Sequence, residues 1–471
     1  MSMISINQQD SVPLVEQVVQ GVRQQVDERV LRQGTRLPSI RQFAGDHGVS
    51  RFTVVQAYDR LVAAGYLQSR KGSGFYVSKP VVHNALKEPA CDLDRAVDIL
   101  WLLRRSMTDR NFAHMPGCGW LPSDWHDGAN LQRGLRTLSR SSVRPLVEYG
   151  RAAGYLPLRQ DLQHRLNELE IGASTDQIIT THGVSHALDL LTRYFVRPGD
   201  TVLVEDPAYF TLFGTLKLLG AKVVGVPRNL DGPDTAVMEA LIVEHRPKLF
   251  ITTAVLHNPT GTNTSQAVAY RILQLAEKYD LMIIEDDIYG DFHGGQATRL
   301  AALDQLNRVI YVSSFSKTIS ASIRVGFMAC HKDLAQELID LKLLTSLTTS
   351  ETSEQLVHQV LAEGHYRKTM VRLQNRLHGA RQQTVAQLER IGLSLFCEPE
   401  YGMFLWAKLP EGVEQNAAEL AHRALAEDIM LAPGNISSPQ QSNSPWLRFN
   451  AAFCHGQPVL FDTLDRLLCT E

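Results

Sequence analysis

The chain begins with a region of predicted short helices, the first of which contains valines spaced three and four residues apart. These valines predict a first amphipathic helix over about residues 12 to 32. Ser39 begins a second helix as the first residue of a capping box, and Ser50 caps a third helix that is predicted to end at Gly65. Two short helices joined by a glycine-containing turn form a helix-turn-helix.

Two short apolar segments follow the third helix. Tyr66–Gln68 and Phe75–Val77 are predicted strands that flank a basic, glycine-rich turn, so the segment is predicted to be a winged helix-turn-helix of α+β class. In such a domain the start of the third helix enters the major groove, where Arg51 is the candidate for reading a guanine. Each basic residue alone is equally explained as part of a solvated helix face. The predicted DNA-binding residues are Arg41, Ser50, Arg51, Thr53, Arg70, Lys71 and Gly72.

From about residue 108, apolar strand-like runs alternate with helical patterns. The runs that start at Thr201, Leu249, Leu281 and Val309 are uniformly apolar, as in strands covered by helices on both faces. The sequence therefore predicts an α/β sheet. Ligands collect at the carboxyl ends of strands in such sheets, so the polar residues that follow these runs are predicted to share one crevice: Glu205, Asp206, Asn258, Asp286, Tyr289 and Ser314 to Lys317.

Length and charge support a division into domains. The 471 residues exceed one typical domain, and 44% hydrophobic with 21% charged residues is ordinary for a globular protein. The net charge is −3, but residues 1–80 hold ten Lys or Arg and six Asp or Glu, so they carry +4 and the remainder −7. Only the amino-terminal part is therefore suited to a polyanion such as DNA. The predicted boundaries are a DNA-binding domain at 1–78, a linker at 79–107 with a short helix near 96–103, and an α/β domain at 108–471.

The sequence does not indicate a membrane protein or a metal-binding protein. No apolar run is long enough to span a bilayer, and the amino terminus lacks the order of a secretory signal, so we expect a cytoplasmic protein without a membrane partner. The six cysteines are scattered without a Cys-x-x-Cys pair, which predicts reduced thiols and neither a disulfide framework nor a metal site.

The polar residues of the predicted crevice match the needs of pyridoxal phosphate. This cofactor requires an amine for a Schiff base, a carboxylate at its pyridine nitrogen and donors at its phenolic oxygen. Lys317 is the predicted amine and Asp286 the carboxylate. Asn258 and Tyr289 are the predicted donors, and Tyr209 is predicted to stack on the ring. Each motif alone has an ordinary explanation as a turn, an exposed loop or a helix cap, and it is their order along the chain that predicts the cofactor.

The phosphate group of the cofactor needs a cradle of its own. A tight glycine turn that starts a helix presents backbone amides and a favourable dipole. A later segment adds two hydroxyls and a guanidinium. The residues predicted to hold the phosphate are Gly183, Val184, Ser185, Ser314, Ser316 and Arg324.

Both parts of the chain resemble known families. The segments 37–44, 49–58 and 65–77 resemble the DNA-binding domain of GntR-type bacterial regulators. The cofactor motifs that end with Lys317 resemble, in order and spacing, those of the fold-type-I aminotransferases, which are α/β enzymes that use pyridoxal phosphate. A fusion of these two parts is the organisation of the MocR/GabR subfamily of GntR-type transcription regulators, which the whole chain resembles.

The resemblance to aminotransferases implies two further roles. Arg448 matches the arginine that this family presents to the carboxylate of an amino-acid substrate. Tyr149 lies in a segment that resembles the one reaching the phosphate of the neighbouring subunit's cofactor, which implies a homodimer. One departure is Ala321, because the family usually has a proline four residues after the lysine. Its absence loosens the loop that leads to Arg324.

The sequence leaves three functional hypotheses. The first is a pyridoxal-phosphate-dependent regulator that binds double-stranded operator DNA and senses a small amino compound through an aldimine at Lys317. The second is an active aminotransferase with an accessory DNA-binding domain, which steady turnover would distinguish. In the third, pyridoxal phosphate itself is sensed through the same residues. We favour the first, since a complete operator-reading module is otherwise unexplained.

Overall fold

The chain divides into two compact units, Met1–Asp92 and Leu93–Glu471. The computed structural model describes residue 6 and residues 12–27, 30–70, 73–78, 112–140, 142–362, 364–412 and 416–469. The linker predicted at 79–107 and its short helix lie outside the described residues. The domain boundaries inferred from the sequence therefore stay a prediction.

The first unit is a winged helix. Ser39 Oγ accepts a hydrogen bond from the Gln42 amide at 3.2 Å, and Ser50 Oγ accepts one from the Thr53 amide at 3.0 Å, so both predicted caps are present. The two strands are antiparallel, and the helices enclose an apolar core around the buried Tyr58. The elements are α1 Leu14–Asp27, α2 Ile40–His47, α3 Arg51–Ala63, β1 Leu67–Arg70 and β2 Gly74–Val77.

Helices α1 and α3 are shorter than predicted. α1 ends at Asp27, short of the predicted end near residue 32. Just beyond it, the Leu31 amide donates to a carbonyl of the last turn of α1 at 2.9 Å, and the Leu31 side chain is buried in the core of the unit. Burial of this apolar side chain in the core favours an end of the helix before residue 31. α3 ends at Ala63, two residues before the predicted Gly65.

The second unit contains two sheets surrounded by helices. Its described helices are α4 Gly128–Ser139, α5 Arg144–Val147, α6 Leu156–Glu168, α7 Val184–Phe195, α8 Phe210–Leu218, α9 Thr235–His245, α10 Gln266–Lys278, α11 Leu300–Asp304, α12 Lys332–Ser346, α13 Glu351–Ala362, α14 His365–Arg390, α15 Ala417–Ala426, α16 Ala451–Cys454 and α17 Pro458–Cys469. Its described strands are β3 Ile178–Thr181, β4 Thr201–Asp206, β5 Lys222–Asn229, β6 Gly232–Pro233, β7 Leu249–Thr252, β8 Met282–Asp286, β9 Val309–Ser314, β10 Gly326–Ala329, β11 Ser394–Leu395, β12 Phe404–Lys408, β13 Ala432–Pro433 and β14 Trp446–Asn450.

The main sheet has the strand order β3-β10-β9-β8-β7-β4-β5-β6. Its centre, from β9 through β8, β7 and β4 to β5, is parallel, whereas β10 is antiparallel to both neighbours. Successive side chains point to opposite faces: Leu203 and Phe250 belong to one apolar core, and Val204 and Ile251 to the other. Helices cover both faces, which confirms the predicted α/β class.

The second sheet is small and antiparallel, with the order β11-β12-β14-β13. Helices α15 and α17 pack on it around a third apolar core. Strand β14 carries Arg448, which reaches the loop after β7 and contacts Asn258 there. Among the described residues, none of the helices combines the length and the apolar character that crossing a bilayer requires.

Candidate functional site

The carboxyl ends of β8 and β9 adjoin one another in a single crevice. Asp286 ends β8 and Ser314 ends β9, and the parallel register pairs Asp286 with Val312. Lys317 follows Ser314 by three residues, in the turn after β9. The topology thus brings together side chains that are distant in the sequence. The roles assigned to these side chains from the sequence stay predictions.

The amine of Lys317 has an unusual environment. Its Nζ donates a hydrogen bond to the carbonyl oxygen of Gly119 at 2.7 Å. Burial lowers the pKa of Lys317 to about 8, and the guanidinium groups of Arg448 and Arg324 act in the same direction, while Asp286 opposes them. A lysine with an ordinary pKa is almost wholly protonated at neutral pH. Lys317 therefore offers a larger fraction of the free amine that attacks a carbonyl carbon.

The carboxylate of Asp286 is buried and, among the described residues, has no hydrogen-bonded cation. Burial raises its pKa to about 7, Asp287 adds to the rise, and Lys317 opposes it. Among the described residues, the Ile288 amide, at 3.2 Å, is the hydrogen-bond donor that Asp286 has. A protonated ring nitrogen is the kind of group that would complete this site.

Arg448, Asn258 and Tyr289 form a connected polar group beside the crevice. Arg448 Nη1 donates to Asn258 Oδ1 at 2.8 Å, and Asn258 Nδ2 donates to the Tyr289 hydroxyl at 3.4 Å. Arg448 Nη2 donates to the Gly117 carbonyl at 2.6 Å, and its guanidinium lies 4.7 Å from the ring centre of Phe404. Within the described part of the chain, Arg448 Nε is buried without a hydrogen-bond partner. An anionic ligand would satisfy it.

Tyr209 lies at the edge of the same crevice. It precedes the first residue of α8 and lines a narrow cavity together with Asp286 and His257. Burial raises the pKa of the Tyr209 hydroxyl, and Asp286 acts in the same direction. Its ring therefore stays neutral and available for stacking at physiological pH.

The segment predicted to hold a phosphate is built around Arg324. Its Nη1 donates to Ser316 Oγ at 3.1 Å and its Nη2 to the His182 carbonyl at 3.0 Å. Ser314 Oγ donates to Ser316 Oγ at 2.9 Å. Gly183, with φ of 77°, precedes the first residue of α7. The absence of a proline before Arg324 thus does not prevent its guanidinium from reaching the glycine turn.

The first two residues of α7 differ in the exposure of their side chains. The Val184 side chain is buried in the apolar core of one sheet face, whereas Ser185 is exposed. Val184 can therefore offer only its backbone amide to a phosphate, while Ser185 can offer its amide and its hydroxyl.

Tyr149 stands apart from this cluster. Its side chain is 82% exposed, and it follows α5 on the surface of the unit. Exposure of an aromatic ring to this degree is what a contact with a second subunit would relieve. Tyr149 is therefore placed on the surface and not with the residues around Lys317.

The sequence analysis did not identify Gly117 and Gly119 as site residues. Their carbonyl oxygens accept hydrogen bonds from Arg448 and Lys317, and Asn450 Nδ2 donates to the Cys118 carbonyl at 3.0 Å. The segment thus closes over the two predicted functional cations through its backbone. The available signal was the pair of glycines around Cys118, which permits a close approach of backbone to side chains.

The chemistry of these groups fits pyridoxal phosphate. A lysine with a lowered pKa, a buried carboxylate without a hydrogen-bonded cation, and a glycine turn beside an arginine and two serines correspond to its aldehyde, ring nitrogen and phosphate. The unsatisfied nitrogen of Arg448 would then remain for an anionic group of a second ligand.

The first unit places the predicted DNA-binding residues on its surface or outside the described residues. Arg41 and Arg51 are exposed, at the first turns of α2 and α3. Ser50 and Thr53 share a hydrogen bond of 2.8 Å between their hydroxyls. The Arg70 guanidinium lies 4.6 Å from the ring centre of a neighbouring tyrosine. The two remaining predicted residues, Lys71 and Gly72, are outside the described residues.

Comparisons with known proteins cover both units. Residues 122–458 match the family model of class I and II aminotransferases, and residues 14–77 match that of bacterial regulatory proteins of the gntR family. The chain is 29% identical, over 94% of its length and 96% of the other, to an uncharacterized HTH-type transcriptional regulator, YdcR, of Escherichia coli. It is also 29% identical, over 88% of its length and 85% of the other, to a protein of Rhizobium meliloti described as a probable rhizopine catabolism regulatory protein, MocR.

A solved structure extends the comparison to the fold. The α-aminoadipate aminotransferase LysN of Thermus thermophilus, in complex with N-(5'-phosphopyridoxyl)-L-leucine, superposes with a TM-score of 0.70 and 27% identity. The match covers 78% of this chain and 95% of LysN. The predicted fold, an amino-terminal winged helix followed by an aminotransferase domain of fold type I, is confirmed.

Proposed function

The chain belongs to the class I and II aminotransferase family and joins to that domain a GntR-type DNA-binding domain, and on this basis we propose that it is a pyridoxal-phosphate-dependent transcription regulator of the MocR type. Its winged helix binds operator DNA, and its aminotransferase domain responds to a small amino compound. A regulator of this kind acts where the chromosome is, so we place it in the cytoplasm.

Different residues of this chain bind different parts of pyridoxal phosphate. When bound, pyridoxal phosphate supplies an aldehyde that condenses reversibly with primary amines. Lys317 holds the cofactor covalently, Asp286 keeps the proton on its ring nitrogen, and Asn258 and Tyr289 donate toward its phenolic oxygen. Tyr209 would stack on one face of the ring and shield it from water. The residues that would hold the phosphate are those of the glycine turn and of the Arg324 segment: Gly183, Val184, Ser185, Ser314, Ser316 and Arg324.

The observation that carries this proposal is the place of Lys317, whose buried amine donates to the Gly119 carbonyl at 2.7 Å, at the sheet edge where β8 ends in Asp286. We expect the purified protein to be yellow, and Lys317→Ala to lose the visible absorption of the Schiff base. Borohydride reduction followed by peptide mapping should label Lys317. Lys342 is a matched control, because it is also buried with a pKa lowered to about 8 but lies outside the crevice. Label on Lys342 alone, or none on either lysine, would refute the proposal.

Regulation requires that the amino compound bind one arrangement of the protein better than another. A ligand shifts an equilibrium only by its differential affinity, and couplings of about 1 to 3 kcal/mol are typical. The Arg448 guanidinium, with its unsatisfied Nε, supports an effector that carries a carboxylate. Arg448 would hold the carboxylate of such an effector near the amine of Lys317, and the cofactor would supply the aldehyde that reacts with the effector's amine. DNA affinity measured with and without the effector should differ about 5- to 150-fold.

An active aminotransferase is the second candidate function, because the set of polar residues around Lys317 is complete. The two functions differ in turnover. A sensor holds the amino compound, whereas an aminotransferase consumes an amino acid and a 2-oxo acid steadily. Repeated turnover at a rate near that of ordinary enzymes, together with DNA affinity that ignores the amino acid, would favour the enzyme.

We also propose that the protein acts as a homodimer. Five large apolar side chains of one stretch of the second unit are exposed by half or more: Leu135, Val143, Leu146, Val147 and Tyr149. A patch of this kind is what a second copy of the chain would cover. Val147→Glu, at a side chain that is 72% exposed, should yield a folded monomer in analytical ultracentrifugation. Val243→Glu, at an apolar residue exposed elsewhere, is the control and should remain a dimer.

A further inference from the structure

A second cleft, separate from the crevice around Lys317, opens between the main sheet and the small sheet. Its volume is about 370 Å³. One side is formed by the end of β4 at Asp206, and the other by the aromatic residues Phe396, Trp406 and Trp446. The prediction that Asp206 shares the crevice with Asp286 is wrong, because Asp206 lines this cleft instead. None of the described residues that line the cleft belongs to the set predicted to bind the cofactor. The cleft is therefore a candidate site in its own right.

The carboxylate of Asp206 lacks a cation. Ser438 Oγ donates to its Oδ2 at 3.2 Å, and within the described residues no ion pair involves it. Burial raises the pKa of Asp206, and the hydrogen bond from Ser438 opposes the rise. This direction is expected of a carboxylate that has lost water and gained no positive neighbour.

The other charged residue of the cleft does not supply the missing charge. Arg228 is fully buried and forms an ion pair through Nη1 with Glu205, and its Nε donates to Thr262 Oγ1 at 2.8 Å. The charge of Arg228 is thus matched by that of Glu205, although Arg228 Nη2 is buried without a hydrogen-bond partner in the described residues. Of the charged residues described along this cleft, Asp206 is the one without an oppositely charged partner, and its negative charge favours a cationic ligand.

The opposite wall offers aromatic surface. The rings of Trp406 and Trp446 are parallel with centres 5.9 Å apart, and Phe396 meets Trp446 edge-on at 5.7 Å. Gly434 supports this wall, because a β-carbon at residue 434 would stand 2.9 Å from the Trp406 ring. Aromatic surface next to an uncompensated carboxylate is a combination that binds organic ammonium ions.

We propose that this cleft is a second ligand site, whose ligand is an organic ammonium ion with an apolar body. The ammonium group pairs with Asp206, and the apolar body packs against Trp406 and Trp446. The cleft shares a wall with the cofactor crevice, since Asp206 stands three residues before Tyr209 and the Ala208 amide donates to the small-sheet side at Ser437, at 2.8 Å. A ligand bound in the cleft could therefore shift the segment that carries Tyr209.

Benzyltrimethylammonium tests the proposal on the full-length protein. This quaternary cation has no N–H and cannot form a Schiff base, so its binding is independent of the chemistry at Lys317. A ligand-observed NMR titration should give saturable binding, equally in the wild type and in Lys317→Ala. Benzyl alcohol, an uncharged aromatic of similar size, should bind at least about tenfold more weakly.

Three variants locate the site. Asp206→Asn should weaken binding of the cation about tenfold or more, because it removes the charge and keeps the size. Ser442→Phe, at an exposed residue of the rim, should abolish binding by filling the cleft without disturbing the core. Asp333→Asn, at a side chain that is 90% exposed on α12, is the control and should bind as the wild type does.

Four results would overturn the inference: no saturable binding of the cation to the wild type, equal affinity for benzyl alcohol, loss of binding in Lys317→Ala, or unchanged binding in Ser442→Phe. Because Ser442 is exposed, this last variant remains informative even if Asp206→Asn fails to fold. The site does not rest on the proposed function, since a colourless protein that binds the cation would contradict only the assignment of the cofactor.

Discussion

The guanidinium of Arg324 lies so close to the backbone of Gly183 that a β-carbon on residue 183 would stand 2.7 Å from Nη2. Gly183 has φ of 77°, and Arg324 itself has φ of 56°. Both residues thus have a positive φ, which is costly for a residue with a side chain, and Gly183, with ψ of 175°, lies in a region that is almost exclusive to glycine. The glycine turn and the arginine fit together only because residue 183 has no side chain, and this makes the turn sensitive to the smallest substitution.

Gly183→Ala should impair both stability and cofactor binding. The backbone conformation of residue 183 costs alanine about 1 to 3 kcal/mol, and the methyl group must also displace Arg324. We expect the thermal midpoint of the apoprotein to fall and the affinity for pyridoxal phosphate to drop about tenfold or more, measured by absorbance titration. Gly214→Ala is the control, since a β-carbon at that helical position meets nothing within 4 Å. If both variants bound the cofactor alike, the turn would not hold its phosphate.

A second prediction concerns the buried amine of Lys342. Its Nζ donates to the Ala152 carbonyl at 2.7 Å and to Thr349 Oγ1 at 3.2 Å. Burial lowers the pKa of Lys342 from 10.5 to about 8. Between these two values the unfolded chain binds more protons than the folded one, so this group makes the protein more stable as pH rises from about 8 to 10.5.

Lys342→Met should remove that gain. The difference in unfolding free energy between the wild type and the variant should shift in favour of the wild type by up to about 3 kcal/mol over this pH window. Urea unfolding of the apoproteins at several pH values measures it. Lys332→Met, at an exposed residue of the same helix α12, should keep the wild-type slope. Parallel pH profiles for wild type and Lys342→Met would show that the amine is not held in a lowered-pKa environment.

The sequence allowed much of the fold to be predicted, because uniformly apolar runs and helix caps are local signals. The caps at Ser39 and Ser50 and the central parallel strands followed from them. Strand β10 did not, since Gly326–Ala329 is four residues long and its place between β3 and β9 depends on pairing with distant segments. The contact of Gly119 with Lys317 was not predicted for a related reason. It is made by a backbone carbonyl, which every residue has, so the type of residue does not indicate it.

Arg448 provides a third prediction, about the effector. Its Nε is buried without a partner in the described residues, and Asn258 holds its Nη1. Arg448→Ala should weaken the spectral response to L-alanine about 10- to 100-fold, because a charge-assisted contact with the carboxylate is lost. The response to 1-aminopropane, which has no carboxylate, should change little. Arg390→Ala, at an exposed arginine on α14, is the control. Equal losses for both amines would assign Arg448 to the cofactor instead.

The last prediction concerns base reading by α3. Phe52 is 69% exposed in the first turn of this helix, next to the exposed Arg51, and it contributes nothing to the core of the unit. An apolar side chain at that position suits a thymine methyl group, while Arg51 suits a guanine. Phe52→Ala should leave the thermal midpoint unchanged but cost about 1 to 3 kcal/mol of operator affinity, lost at one base pair.

Measuring binding to a set of operator variants separates the two roles of these residues. Arg51→Ala should relax preference at one guanine and Phe52→Ala at one thymine, and both should leave the dependence on salt largely unchanged. Lys71→Ala is the contrast, because loss of a phosphate contact should weaken binding to all sequences alike and reduce the salt slope by about 1. If Phe52→Ala weakened binding uniformly across sequences, or if it lowered the thermal midpoint as much as the affinity, the exposed ring would have a structural role and no part in reading the operator.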